Sequence, residues 1–178
     1  MKKRYFSVND IAVVSLFVAV ISVCAYISVP FAIPFTLQLF GVLICAGLLS
    51  PKRATATVLC YVLLGAVGVP VFSNFQGGVH ILLGQSGGFF IGFVFAPFLV
   101  AIASKTGKKG FLSLILSMLS AVLFCYICEV VWLLLVYKFN IRTAIISVAY
   151  FIIPDTIKAI FAAMLTLRLK KSARLLNE

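Results

Sequence analysis

The 178-residue chain (19.3 kDa) is 63% hydrophobic and only 11% charged, with a mean hydropathy of +1.22. So little polar surface cannot coat a water-soluble globule, and the composition predicts an integral membrane protein. Fifteen Lys plus Arg against four Asp plus Glu give a net charge of +11, but the basic residues stand in short clusters between long apolar runs. That arrangement points to membrane orientation and excludes a nucleic-acid binder, a disordered chain and a disulfide-stapled secreted domain.

The apolar runs cover residues 11–29, 35–49, 54–72, 89–104, 111–136 and 144–169. They predict an all-α bundle of six transmembrane helices in one domain over residues 1–178, with no room for an ATP-hydrolysing domain. The first run follows a basic start, yet it is too long for a signal-peptide core, lacks a small-x-small cleavage site and reads as a retained span. Basic clusters at Lys2, Lys3 and Arg4, at Lys52 and Arg53, at Lys105, Lys108 and Lys109, and at Arg168, Lys170, Lys171 and Arg174 alternate with connections poor in positive charge. Because cytoplasmic loops collect Lys and Arg, both termini are expected in the cytoplasm, with the chain crossing the cell membrane several times.

Within the first span, Ala12, Ser15, Ala19 and Ser22 form a stripe of small side chains at steps of three and four. Small residues let helices approach closely in lipid, so the stripe predicts a docking face, for another helix of this chain or for a separate subunit. The outer segment 30–34 carries two prolines, Pro30 and Pro34, and leads into Thr36 and Gln38, polar groups entering an apolar helix. Irregular backbone at that depth belongs against protein or a cavity. The outer stretch 73–88 is rich in glycine, carries Asn74, Gln76, Gly77 and Gly78, and has no charge, which predicts a lid over a ligand rather than a plain connector. His80 within it has no nearby carboxylate or thiol and reads as a loop histidine, with no metal site expected. The five cysteines all fall inside spans as small apolar residues, and the Cys125/Cys128 pair lacks the partners of a zinc site.

Three charges interrupt the apolar runs: Glu129, Asp155 and Lys158. Ionisable groups at membrane depth are costly and mark functional or paired sites. The last run would reach about 39 Å as one helix, beyond a hydrocarbon core of about 30 Å, so it should break. Pro154 is the expected break, with an outer segment over 142–153 and a spanning helix from Pro154. Asp155 and Lys158 then share a face of that helix, either as a self-neutralising ion pair or as a site for a small anionic or amide-bearing ligand. Glu129 is expected to reach the same cavity or to pair with Lys138 or Arg142. An intramembrane enzyme would need a nucleophile with a base or a metal cluster, and neither is present in the sequence; no cofactor is expected.

The ordered segments ISVPFAIPFTLQ (27–38), GLLSPKR (47–53), YVLLGAVGVPVF (61–72), then Gly77-Gly78, Leu83-Gly84, SGGFFIGF (86–93) and PDTIKA (154–159) resemble the BioY family, the biotin-specific substrate-binding (S) components of energy-coupling factor (ECF) transporters. The resemblance implies a six-helix S component that binds biotin from outside. Its partners would be a transmembrane coupling (T) subunit, docked on the small residues of the first helix, and two cytoplasmic ATPase subunits. Biotin's ureido group, apolar ring and carboxylate would suit Asp155, Asn74 or Gln76, Thr36, Gln38, the Gly77-Gly78 backbone, aromatic walls such as Phe89, and Lys158. Two departures stand out: Pro154 replaces the glycine common before the aspartate, and Glu129 stands where a neutral residue is expected. An S component for another vitamin, or a structural assembly subunit in which Asp155 and Lys158 merely pair, are the competing readings.

Overall fold

Ser7 opens the first helix with a reciprocal cap: its Oγ accepts the Asp10 N–H at 3.2 Å, and the Asp10 carboxylate accepts the Ser7 N–H at 2.9 Å. Helix α1 (Val8–Tyr26) follows, burying Val14, Val18, Ile21, Ser22 and Ala25 on one face. The structure is a computed structural model and describes residues 7–29, 35–106 and 110–175. The basic residues Lys2, Lys3, Arg4, Lys108 and Lys109 and the Pro30–Pro34 segment lie outside the described residues. Asp10 also pairs with Arg53 at the start of α3 (Pro51–Ala66), tying the two helices together at one end of the bundle.

After α1 the chain forms a two-residue antiparallel ribbon, β1 (Ser28–Val29) on β2 (Phe35–Thr36), with Ser28 opposite Thr36. Helix α2 (Gln38–Leu48) comes next and is buried almost all round, Gln38, Leu39 and residues 41–47 being enclosed. Its 11 residues rise only about 16 Å, so the second apolar run supplies a short interior helix. Helix α3 ends in a Schellman turn: the Gly68 N–H donates to the Gly65 carbonyl and the Val69 N–H to the Leu64 carbonyl, both at 3.0 Å. Gly68 takes the required left-handed conformation (φ 100°).

The outer stretch then carries a single 3₁₀ turn (Ser73–Phe75) and a short helix α4 (Val79–Leu82) before α5 (Gly87–Thr106). Helix α6 (Phe111–Leu135) packs along α5 in the most extensive helix contact. A Cβ on Gly88 would stand 2.5 Å from the Cys128 carbonyl oxygen, and one on Gly92 would stand 2.7 Å from Cys125 Cα. The Gly-x-x-x-Gly spacing thus brings the two backbones into direct contact, a seam of the kind that lipid-embedded helices use.

The last apolar run breaks, as its length requires, into α7 (Ile141–Ala149) and α8 (Ile152–Leu175), bent by 44°. The break falls just before Pro154. The Phe151 N–H closes α7 on the Val148 carbonyl at 3.0 Å, and the Asp155 N–H opens α8 on the Phe151 carbonyl at 2.9 Å. Pro154 is the third residue of α8, inside the first turn, where a missing N–H leaves no helical bond unmade.

Each apolar run therefore yields helix. By length and composition α1 and α6 can each cross a bilayer, and α7 with α8 can do so as one bent span. Leu16 and Val23 on α1, Leu63 on α3, Phe95 and Phe98 on α5, Leu116 and Leu123 on α6 and Phe161 on α8 all face outward. An apolar outer surface on every long helix is that of an integral membrane protein.

Candidate ligand-binding site

Near the β1–β2 ribbon, the start of α2, the first turn of α5 and the first turn of α8 enclose a cavity of about 540 Å³, its open mouth included. Lys158 and Asp155 form its charged end. Both are almost wholly buried, and Lys158 Nζ donates to Asp155 Oδ1 at 2.7 Å. The same ammonium donates to the Thr36 carbonyl at 2.7 Å and lies 4.0 Å from the centre of the Phe35 ring. The second carboxylate oxygen of Asp155, Oδ2, accepts the Tyr126 hydroxyl from α6 at 2.8 Å.

These contacts leave defined capacity. An ammonium has three N–H donors, and among the described residues two of those of Lys158 are committed, leaving one. Each Asp155 oxygen holds one partner and keeps a further acceptor direction. Gln38 is buried at the cavity wall, and its Nε2 has no hydrogen-bond partner among the described residues. Ser73 and Ser86 bring hydroxyls from the two ends of the outer stretch, while Phe89, Phe90, Phe93 and Phe151 supply apolar wall. The Phe89 ring meets Phe151 edge-on at 6.1 Å and Tyr126 edge-on at 6.1 Å, so the wall is an interlocked set of rings.

Of the residues expected from the sequence, Asp155, Lys158, Thr36, Gln38 and Phe89 come together in this cavity. Asn74, Gln76, Gly77 and Gly78 do not line it. Asn74 and Gln76 are exposed, and Asn74 Oδ1 accepts the Ser28 hydroxyl at 3.0 Å. The Gly78 N–H donates to the Gly65 carbonyl at 2.6 Å, so the two glycines serve the turn itself. Ser73, Ser86, Tyr126 and Phe151 were not foreseen as site residues. A tyrosine hydroxyl inside the apolar run 111–136 was the available signal for Tyr126, since a buried hydroxyl needs a partner.

Two further expectations are corrected. Glu129 pairs with neither Lys138 nor Arg142, which are exposed; it is fully buried, and its Oε2 accepts the Phe89 N–H at 2.9 Å. The α1 stripe is outward at Ala12, Ser15 and Ala19, but Ser22 is buried, with its Oγ on the Val18 carbonyl at 2.9 Å. Helical steps of three, four and three turn Ser22 about 80° from Ala12, past the edge of the outward face.

The BioY family pattern matches residues 1–175. The chain belongs to the BioY family. Among curated BioY relatives, the biotin transporter BioY of Thermotoga maritima is 41% identical over 159 residues, covering 88% of this chain and 92% of the relative. The biotin transporter BioY of Lactococcus lactis subsp. cremoris is 35% identical over 144 residues, 78% of this chain and 76% of the relative. A crystal structure of the S-component for biotin from an ECF-type ABC transporter superposes with a TM-score of 0.85 at 29% identity, covering 92% of each chain. The BioY fold and the cavity described above therefore sit in a family of membrane transporter components rather than of enzymes.

Proposed function

We propose that this protein is the biotin-capturing S component of an ECF-type vitamin transporter. The observation that carries the reading is the buried Lys158–Asp155 pair at one end of a largely aromatic cavity, with one ammonium donor uncommitted among the described residues. Biotin has a carboxylate, an apolar bicyclic body and a ureido group with two N–H donors and one acceptor. Lys158 suits the carboxylate and the phenylalanine wall suits the ring. The Gln38 amide and the Ser73 and Ser86 hydroxyls suit the ureido group, with the spare acceptor directions of Asp155 available to its N–H donors. The pocket is largely apolar with a few fixed polar groups, as small-molecule sites are.

In this reading six segments pass through a prokaryotic plasma membrane, the short α2 among them, and both termini face the cytoplasm, in accord with the alternation of basic clusters. A T subunit and two ATPase subunits energise uptake in this reading. The outward residues Ala12, Ser15 and Ala19 supply the T-subunit docking face. Equilibrium binding of a vitamin panel to detergent-purified protein tests the assignment: saturable binding of biotin, in preference to the others, is expected. Preferential capture of another vitamin would reassign the substrate, and no saturable ligand at all would make the ion pair purely structural.

A further inference from the structure

Helix α6 presents three hydrogen-bonding side chains one turn apart, and each reaches a different part of the cavity's frame. Tyr126 holds Asp155 Oδ2 at 2.8 Å, Glu129 holds the Phe89 N–H at 2.9 Å, and Trp132 Nε1 donates to the Gly84 carbonyl at 3.0 Å. The middle member carries the largest penalty. Glu129 is wholly buried, and its Oε1 has no hydrogen-bond partner among the described residues. Burying a carboxyl group is costly, and the compensation for Glu129 comes from the start of α5: the Phe89 N–H bond, with the Gly88 N–H also acting on the carboxyl. The bond ends on the third residue of α5, in the first turn, where the Phe89 N–H is shared between Glu129 Oε2 at 2.9 Å and the Ser86 carbonyl at 3.2 Å, the carboxyl being the nearer acceptor. Gly88 lets α5 close on Glu129 at this point, since a Cβ there would stand 2.5 Å from Glu129 Cα. The residue whose backbone is held is Phe89, whose ring lines the cavity and braces Phe151 and Tyr126.

We propose that Glu129 is a positioning residue for ligand binding: by accepting the Phe89 N–H it locks the first turn of α5 to α6 and fixes the Phe89 ring as the cavity's aromatic wall. The proposal rests on the biotin-site reading for its functional consequence only. Its geometric core is a hydrogen bond that depends on the reach of the acceptor, not on its charge. Gln keeps an acceptor at the same reach, whereas Asp keeps the charge but withdraws the acceptor by one methylene.

Biotin affinity and amide hydrogen exchange over residues 87–90 are therefore measured on the full-length purified parent, E129Q and E129D. E129Q is expected to bind biotin within about threefold of the parent and to keep its exchange protection. E129D is expected to bind about 10-fold or more weakly, with faster exchange at Phe89, because the N–H loses its nearer acceptor and keeps only the longer bond to the Ser86 carbonyl. A parent-like E129D, or an E129Q that loses as much as E129D, overturns the proposal. Should E129D aggregate, E129Q decides: retained protection at Phe89 supports the bond and lost protection refutes it. A parent that binds no biotin would refute the functional reading, and the exchange comparison would still judge the role of Glu129.

Discussion

Tyr126 on α6 and Lys158 on α8 grip opposite oxygens of Asp155, the hydroxyl on Oδ2 at 2.8 Å and the ammonium on Oδ1 at 2.7 Å. The carboxylate is thus held in one rotamer by two different helices. Removing the hydroxyl frees it to turn. Tyr126→Phe is expected to lower stability by about 1 kcal/mol and to weaken biotin binding about threefold to tenfold, while keeping the ring contacts with Phe89. Thermal unfolding and calorimetric titration check both, and an unchanged affinity would show that Asp155 needs no alignment from α6.

The charged pair itself makes a stronger demand. Asp155→Asn and Lys158→Ala should each weaken biotin binding about 10-fold or more, since each strands a desolvated partner or removes a ligand contact. Lys158→Ala should also destabilise the fold, by about 3 to 5 kcal/mol, because it leaves a carboxylate buried without its cation. The double variant should recover part of that stability but none of the affinity. Two single variants that bind biotin like the parent would reduce the pair to a structural one.

On α1 the outward and buried small residues predict different failures. Ala19→Trp should abolish co-purification with the T subunit and ATPases while leaving biotin binding to the isolated protein intact. Ser22→Trp should instead unfold the chain, because Ser22 is only 7% exposed and packs into the bundle. Normal assembly of Ala19→Trp would move the docking face elsewhere.

The outer stretch is expected from its sequence to be a lid over a ligand, and the structure fastens it at several points. Tyr26 stacks on Phe75 with ring centres 4.2 Å apart, Ser28 donates to Asn74 at 3.0 Å, Trp132 to the Gly84 carbonyl at 3.0 Å and Tyr137 to the Leu83 carbonyl at 3.2 Å. Replacing Gly77 and Gly78 together by Val should therefore damage the protein before it slows ligand exchange. Gly78 has φ 111°, and a Cβ on Gly77 would overlap the Val69 carbonyl. A fall in melting temperature without ligand is the expected result; unchanged stability with slowed biotin exchange would restore the mobile-lid reading.

Those fastenings mark where the sequence was legible and where it was not. Asp155 and Lys158 are three residues apart on one helix, so their pairing follows from local geometry alone. The helical runs are equally local, being fixed by continuous hydrophobicity, and the break near Pro154 follows from helix length. By contrast, Tyr126 reaches Asp155 across 29 residues and Lys158 reaches Thr36 across 122. Such partners depend on how helices stack, which local periodicity does not encode. Asn74 illustrates the point: an amide in a charge-free outer loop suits a ligand, and here its side-chain oxygen accepts the Ser28 hydroxyl from across 46 residues. Glu129 failed in the same way, since its partner is a backbone N–H on another helix.

The enclosure of α2 has a consequence for how the protein sits among lipids. Helices α1, α3, α5 and α8 surround it, so its 11 residues meet protein where a bilayer-facing helix would meet acyl chains. A helix of that length exposed to lipid would force the membrane to thin around it. Shielded as it is, α2 carries no such mismatch, and the residues that open it, Gln38 and the adjoining Thr36, keep their depth relative to Lys158 in thick and thin membranes alike. The polar end of the cavity is thereby referenced to the protein's own frame rather than to the bilayer.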